Sequence, residues 1–206
     1  IIKYMKLALS SDFGDVFSIM IASIFLPFLP LLPIQMLIQD FLFEISQIGI
    51  PYDRVDPEFI AKPRKWDTKD LGKFMRIMGV ISSITDVLAF LIFWFIFGYN
   101  SVEKQAYFQT AWFVECLISE TLIIHYIRTA KIPFIQSKPS KTLFTMTILT
   151  ILGTIITPIM LSGLPDFNFV ILPLKYYGYL ILLVALYAVI VQVVKKEYIK
   201  KYKEWL

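Results

Sequence analysis

The chain has one cysteine and one histidine in 206 residues. Cys116 alone makes no internal disulfide and no metal cluster, and its simplest reading is a small buried apolar residue. With His125 as the only imidazole, ligands for Zn²⁺ or copper are scarce. No Gly-rich phosphate loop occurs, and no Asp-Lys-Thr-Gly-Thr segment. Charged residues make up 17% of the chain against 57% hydrophobic. No aromatic–basic array suited to nucleic acid is present, so no nucleic-acid partner is expected.

What fills the chain is apolar sequence in long runs, and the mean hydropathy is +0.68. A helix crosses a bilayer with roughly 20 mainly apolar residues. Six segments approach that length: 10–26, 32–50, 74–97, 107–127, 143–161 and 174–194. No alternating segments suggest a barrel, and lipid-facing backbone must close its hydrogen bonds as helix or barrel. The expected fold is an all-α membrane protein, a bundle of six transmembrane helices embedded in a lipid bilayer. Pro27, Pro30 and Pro33 punctuate the first connection, Gly98 ends the third span, and Gly163, Pro165 and Pro173 mark the fifth connection. The 51–73 connection is long, charged and Pro-containing. No cleaved signal peptide is expected at the N-terminus. The start at Ile-Ile-Lys without Met reads as a piece of a longer protein.

Basic residues set the orientation. Eighteen of the 20 fall before the first span, between spans two and three or at the near rim of span three (Arg76), between spans four and five, or in the tail. Only Lys104 and Lys175 fall on the other side. The positive-inside rule then puts both termini in the cytoplasm. The net charge of +4 is accordingly a topology signal.

Acidic residues inside spans are costly, about 3 kcal/mol each on the lenient insertion scale, and are functional candidates by default. Asp12 and Asp15 are three apart and share a helix face; Asp40 and Glu44, four apart, share another. A short Pro-rich turn joins the two spans, so the four carboxylates are placed to converge. No intramembrane Lys or Arg is available to pair with them, so they bind a cation or take up protons. Oxygen-only ligands point to a hard cation, Mg²⁺ or Ca²⁺. The alternative for Asp12 and Asp15 is a solvated stalk outside the membrane. Glu120 lies about 140° around the helix from Glu115 and is expected to meet a different neighbour. Asp86, one turn after Ser82, reads equally as a locally bonded structural acid or a functional one. His125 is expected to be structural, near a helix C-terminus.

Several stretches together resemble a known family. Ser10-Ser11-Asp12-Phe13-Gly14-Asp15-Val16 and Leu32-Pro33-Ile34-Gln35-Met36-Leu37-Ile38-Gln39-Asp40 resemble the fifth and sixth spans of P-type cation ATPases. Lys62-Pro63-Arg64-Lys65-Trp66-Asp67, Trp112-Phe113-Val114-Glu115 and Arg128-Thr129-Ala130-Lys131-Ile132-Pro133-Phe134-Ile135-Gln136-Ser137 resemble bacterial magnesium-transporting members. The likeness runs nearly end to end and implies that the six spans are the family's fifth to tenth. It also implies a bacterial plasma-membrane, multi-pass location and an ATP-driven Mg²⁺ transporter that imports its ion. The ion would be held by Asp40, Glu44, Asp12, Asp15 and Glu115, at positions matching ligands of the related calcium pumps. Where those pumps have amides this chain has acids, and where they have a threonine before the sixth-span carboxylate it has Phe43. That departure favours one smaller ion that keeps waters. Five ionised acids would overcompensate a divalent ion, so some are expected to carry protons; proton countertransport is compatible with this but not required.

ATP would be bound by cytoplasmic domains outside this chain, which with the remaining spans would be its partners. The chain alone is expected to be inactive as an ATPase. Arg64 and Lys65, in the 51–73 connection, would offer a docking surface for the phosphorylation domain; the simpler reading is an orientation signal beside anionic lipid. A Ca²⁺ or H⁺ pump segment, or a self-contained channel or membrane assembly module, are the alternatives.

Overall fold

The computed structural model describes residues 2–61, 68–203 and 205. The 62–67 stretch, with Arg64 and Lys65 of the expected docking loop, lies outside the described residues. The described residues are helical throughout their ordered elements. They form α1 (Ile2–Phe25), α2 (Pro33–Gln47), the one-turn α3 (Pro57–Ile60), α4 (Thr68–Leu91), α5 (Gln105–Ile127), α6 (Lys141–Leu161) and α7 (Leu174–Tyr202). Five helical stretches are long and apolar enough to cross a membrane: Ile2–Phe25, Thr68–Ile96, Val102–Ile127, Lys141–Leu161 and Leu174–Tyr202. The protein is an all-α, multi-pass membrane bundle. Helix α2 is shorter, with 15 residues, or about 22 Å against a hydrocarbon layer of about 30 Å.

Local chemistry sets the helix ends. Pro33 occupies the first turn of α2, where its missing N–H costs nothing, and Gln35 Oε1 accepts the Leu32 N–H at 3.0 Å. Ser140 caps α6 by accepting the Leu143 N–H at 3.1 Å. Helix α4 continues as a π turn over Ile92–Ile96 and stops at Gly98, whose φ of 67° suits a residue without Cβ.

Helix α5 is the axis of the bundle. A helix that is apolar on all sides belongs inside, and α5 is buried nearly all round. It packs against α1, α2, α4, α6 and α7. Trp112, Phe108 and Phe113 of α5 meet Phe90 of α4, Phe93 of the π turn that follows it, and Phe169 in edge-on or tilted pairs. The outer faces of α1, α6 and α7 expose Met20, Ile24, Met160, Ile181 and Leu182, as expected of surfaces that meet lipid tails.

Helices α1 and α4 approach through small residues. A Cβ placed on Gly79 would stand 2.6 Å from Phe13 Cδ1 and 3.1 Å from Ser10 O, and one on Gly14 would stand 3.1 Å from Ser82 Cβ. Ser83 Oγ crosses the interface to donate to Gly14 O at 2.9 Å. Such close backbone approach is a recurrent way of joining helices within lipid.

The start of α1 and Trp205 lie at one end of the bundle, the end of α5 that carries the basic residues. Lys3 Nζ donates to Arg128 O at 2.8 Å, Lys195 Nζ to Thr129 O and Lys131 O at 3.0 Å each, and Trp205 Nε1 to Ile127 O at 2.9 Å. Lys6 pairs with Asp70 at 2.6 Å.

Candidate functional site: two groups of carboxylates

Close packing of α1 against α4 and α5 divides the intramembrane acids into two groups. The outer group is Asp12 on α1 with Asp40 and Glu44 on α2. All three are exposed, and Asp12 feels the negative charges of both α2 acids. They occupy a face of α1 and α2 left uncovered by this chain, flanked by exposed Val16, Leu37 and Phe41.

The inner group sits behind it. Asp15, one helical turn from Asp12, turns into the bundle and is half-buried. Its Oδ1 accepts from the Cys116 thiol at 3.3 Å, and its carboxyl is hydrogen-bonded to that of Glu120. Glu120 Oε1 accepts from Ser11 Oγ in a short hydrogen bond. From α2, the Gln39 amide Nε2 reaches Asp15 Oδ2 at 3.4 Å, Cys116 Sγ at 3.3 Å and Glu120 Oε2 at 3.4 Å. Asp86 accepts from Ser18 Oγ at 2.5 Å and is hydrogen-bonded to Glu115. A cavity of about 10 Å³, room for one water, is lined in part by Ser10, Ser11, Ser82, Glu120 and Tyr187.

Four buried or half-buried carboxyls thus stand in two bonded pairs, Asp15–Glu120 and Asp86–Glu115. No Lys or Arg joins them among the described residues. Burying ionised groups without a counter-charge is expensive. Each pair therefore shares a proton or awaits a cation. The serines of α1, spaced at 11 and 18 on its inner face, supply neutral donors that a carboxylate can use in the meantime.

Of the five residues expected to meet one ion, the structure brings Asp12, Asp40 and Glu44 together, sets Asp15 immediately behind them, and places Glu115 on the Asp86 side. Glu120 does meet a different neighbour from Glu115, as the helical angle implied; that neighbour is Asp15. Asp86 is bonded to Ser18 of α1 rather than to Ser82. His125 is fully buried, its Nε2 2.8 Å from Thr147 Oγ1, which is a packing role. Two residues of the inner group were not recognised as such in the sequence, Gln39 and Cys116. Their signal was the i, i+4 spacing of Cys116 with Glu120, and of buried Gln35 with Gln39 beside the Asp40–Glu44 stripe.

An all-α multi-pass bundle with carboxylates gathered on and behind one open helix face has the character of the membrane part of a cation transporter. The chain belongs to the family described as "Cation transporting ATPase, C-terminus", whose profile matches residues 28–196. Over 206 residues it is 44% identical to the protein named "Magnesium-transporting ATPase, P-type 1" of Salmonella typhimurium (strain LT2), a match covering 100% of this chain and 22% of that protein. It is 46% identical over 202 residues to the protein of the same name from Escherichia coli (strain K12), covering 98% of this chain and 22% of that one. The chain spans 22% of the length of these relatives and corresponds to their C-terminal membrane part.

Proposed function

We propose that this chain is the ion-translocating part of an ATP-driven magnesium pump and that Mg²⁺ passes between α1 and α2. The observation that carries this is the gathering of Asp12, Asp40 and Glu44 on one open face, with Asp15 directly behind it. Mg²⁺ demands near-octahedral oxygen ligands and keeps several of its waters. An open face with three carboxylates suits a partly hydrated ion better than a closed cage would. Phe43, buried at 7% exposure, offers no oxygen where a calcium-type site would want one. This favours a single small ion.

In the whole pump the open face is covered by spans outside this chain, which close the site while the ion is held. ATP binding and phosphorylation would belong to cytoplasmic domains outside this chain, whose sequence holds no Asp-Lys-Thr-Gly-Thr segment. The basic end of the bundle is the cytoplasmic end, which puts both termini in the cytoplasm; movement of the ion inward past the outer group is what the family resemblance implies. Asp15 would take the ion next, its bond to Glu120 opening as the charge arrives. Glu115 would act at a further step or through water.

The test is Asp40→Asn with Glu44→Gln in the full-length pump. Mg²⁺-stimulated ATP hydrolysis and growth at limiting magnesium should both be lost while the protein remains in the membrane. Unchanged stimulation would remove the outer group from the path.

A further inference from the structure

The inner group has a geometry and a ligand chemistry that the outer group lacks. The Gln39 amide nitrogen stands 3.4, 3.3 and 3.4 Å from Asp15 Oδ2, Cys116 Sγ and Glu120 Oε2. Ligand atoms of Asp15, Cys116 and Glu120 all lie within 4.8 Å of one another. With Zn–S near 2.3 Å and Zn–O near 2.0–2.2 Å, neighbouring ligands of a tetrahedral zinc site stand roughly 3.3–3.8 Å apart. The amide thus stands from each of the other three groups at the spacing expected of a fourth corner. Gln39 is 4% exposed and its Oε1 is buried with no hydrogen-bond partner. The two ends of an amide are exchanged by a half-turn, which would set that oxygen at the corner.

We propose that Asp15, Cys116, Glu120 and Gln39 form a second cation site, which takes Zn²⁺ or a divalent ion of similar softness in preference to Mg²⁺. The scarcity of Cys and His argued against zinc in the sequence; the fold supplies three oxygens around the one sulfur. A thiolate favours a borderline-soft ion, and four-coordination suits Zn²⁺, whereas Mg²⁺ would have to give up its octahedral oxygen shell. The bound ion supplies the positive charge that the buried acids lack. On binding, the Cys116 S–H proton and the proton shared by Asp15 and Glu120 leave to solvent, and three anionic ligands and one amide oxygen hold the metal. The ligands come from α1, α2 and α5, so an ion here pins the three helices together. If Asp15 also serves the magnesium path proposed above, Zn²⁺ will inhibit the pump; that consequence rests on the proposed function, and the site itself does not.

The experiment adds Zn²⁺ to the metal-stripped full-length pump in detergent and reads its coordination by X-ray absorption and its affinity by titration. Expected is a bound Zn²⁺ with one sulfur near 2.3 Å and lighter ligands near 2.0–2.2 Å. Cys116→Ser should abolish the sulfur contribution. Glu120→Gln should keep the sulfur and weaken binding by about 10-fold or more, since even the loss of an outer hydrogen-bond partner costs a metal site about 10–100-fold. Asp40→Asn with Glu44→Gln should leave the zinc shell unchanged, so the two sites can fail separately. A zinc shell without sulfur, or with two or more, overturns the proposal, and this is read on the unmutated protein. A sulfur signal that survives Cys116→Ser overturns it equally, and so does loss of the zinc shell in the Asp40/Glu44 variant.

Discussion

Removing the Asp53 carboxylate should unfasten the basic end of the bundle. Asp53 Oδ2 stands 2.8 Å from Arg128 Nε, with side-chain exposures of 9% and 6%. Asp53 Oδ1 accepts the Ser140 N–H at 2.9 Å, at the start of α6. The other guanidinium nitrogens of Arg128 are occupied, donating to Ser137 Oγ at 2.8 Å and Lys138 O at 2.7 Å. The guanidinium therefore cannot swing to water when Asp53 goes. Breaking a buried pair by removing one partner costs about 3–5 kcal/mol, because a charge is left uncompensated. A cavity of about 40 Å³ that borders both residues has room for a water, which sets the expectation for Asp53→Ala at the lower end, about 3 kcal/mol. Asp53→Asn keeps an acceptor for Ser140 and should cost less. Arg128→Met on top of Asp53→Ala should recover part of the loss, a coupling of about 0.5–3 kcal/mol. The assay is reversible unfolding in mixed micelles, run as a double-mutant cycle. A cost below about 1 kcal/mol for Asp53→Ala, or no coupling, would refute the reasoning, since about 1 kcal/mol is what one ordinary hydrogen bond supplies.

Two further outcomes follow from the same structure. Gly79→Ala should force α1 from α4 and cost about 1–3 kcal/mol by overpacking, whereas Gly72→Ala on the same helix, with nothing within 4 Å, should gain about 0.5–1 kcal/mol; equal effects in the unfolding assay would show that the close approach is not what holds the pair. Burial pushes the pKa of Asp56, outside the spans, upward, but hydrogen bonds from Thr129 and Ser137 and the charges of Lys131 and Arg128 outweigh it, leaving the carboxyl below its ordinary range. A depressed folded value contributes stability above the unfolded pKa near 3.9 and loses it as pH falls through the folded value, so Asp56→Asn should flatten the acid limb of the stability profile below about pH 4, and an unchanged limb would remove Asp56 from it.

Apolar length located the helices well but measured the membrane-crossing part rather than the helix. The segment expected at 174–194 is a helix to Tyr202 because Lys195 turns inward to the Thr129 and Lys131 carbonyls instead of ending the span. The segment expected at 10–26 begins at Ile2 because Lys6 finds Asp70 across the bundle. In α2 the error runs the other way, since the apolar run 32–50 includes Ile48, Gly49 and Ile50, which leave the helix after Gln47. The i, i+4 rule placed Asp40 with Glu44 correctly on one face. Periodicity within one helix cannot say which neighbour a face will meet. The family resemblance alone groups Glu115 with Asp15; across the bundle Glu115 meets Asp86, and Asp15 meets Glu120.

The small-residue contact also explains how four carboxyls come to lie so deep. Helix α1 presents Ser11, Gly14, Asp15 and Ser18 inward, while Asp12 points out, so one helix borders both groups. A bulkier inner face would hold α1 away from α4 and α5 and admit water between the acids, which would then need neither protons nor cations. With Gly14 against Ser82 and Gly79 against Phe13, water is largely excluded, and each carboxyl must be answered by a serine, a neighbouring acid or an ion. The answer can change only if the helices shift. Helix α1 begins at the basic end, where Lys3 and Lys6 tie it to Arg128 and Asp70, so a displacement applied at that end is carried along α1 to both groups of acids. Coupling between a distant energy source and an ion path requires this kind of link. Under the function proposed above, that link would run through α1, which like α2 borders both groups of acids.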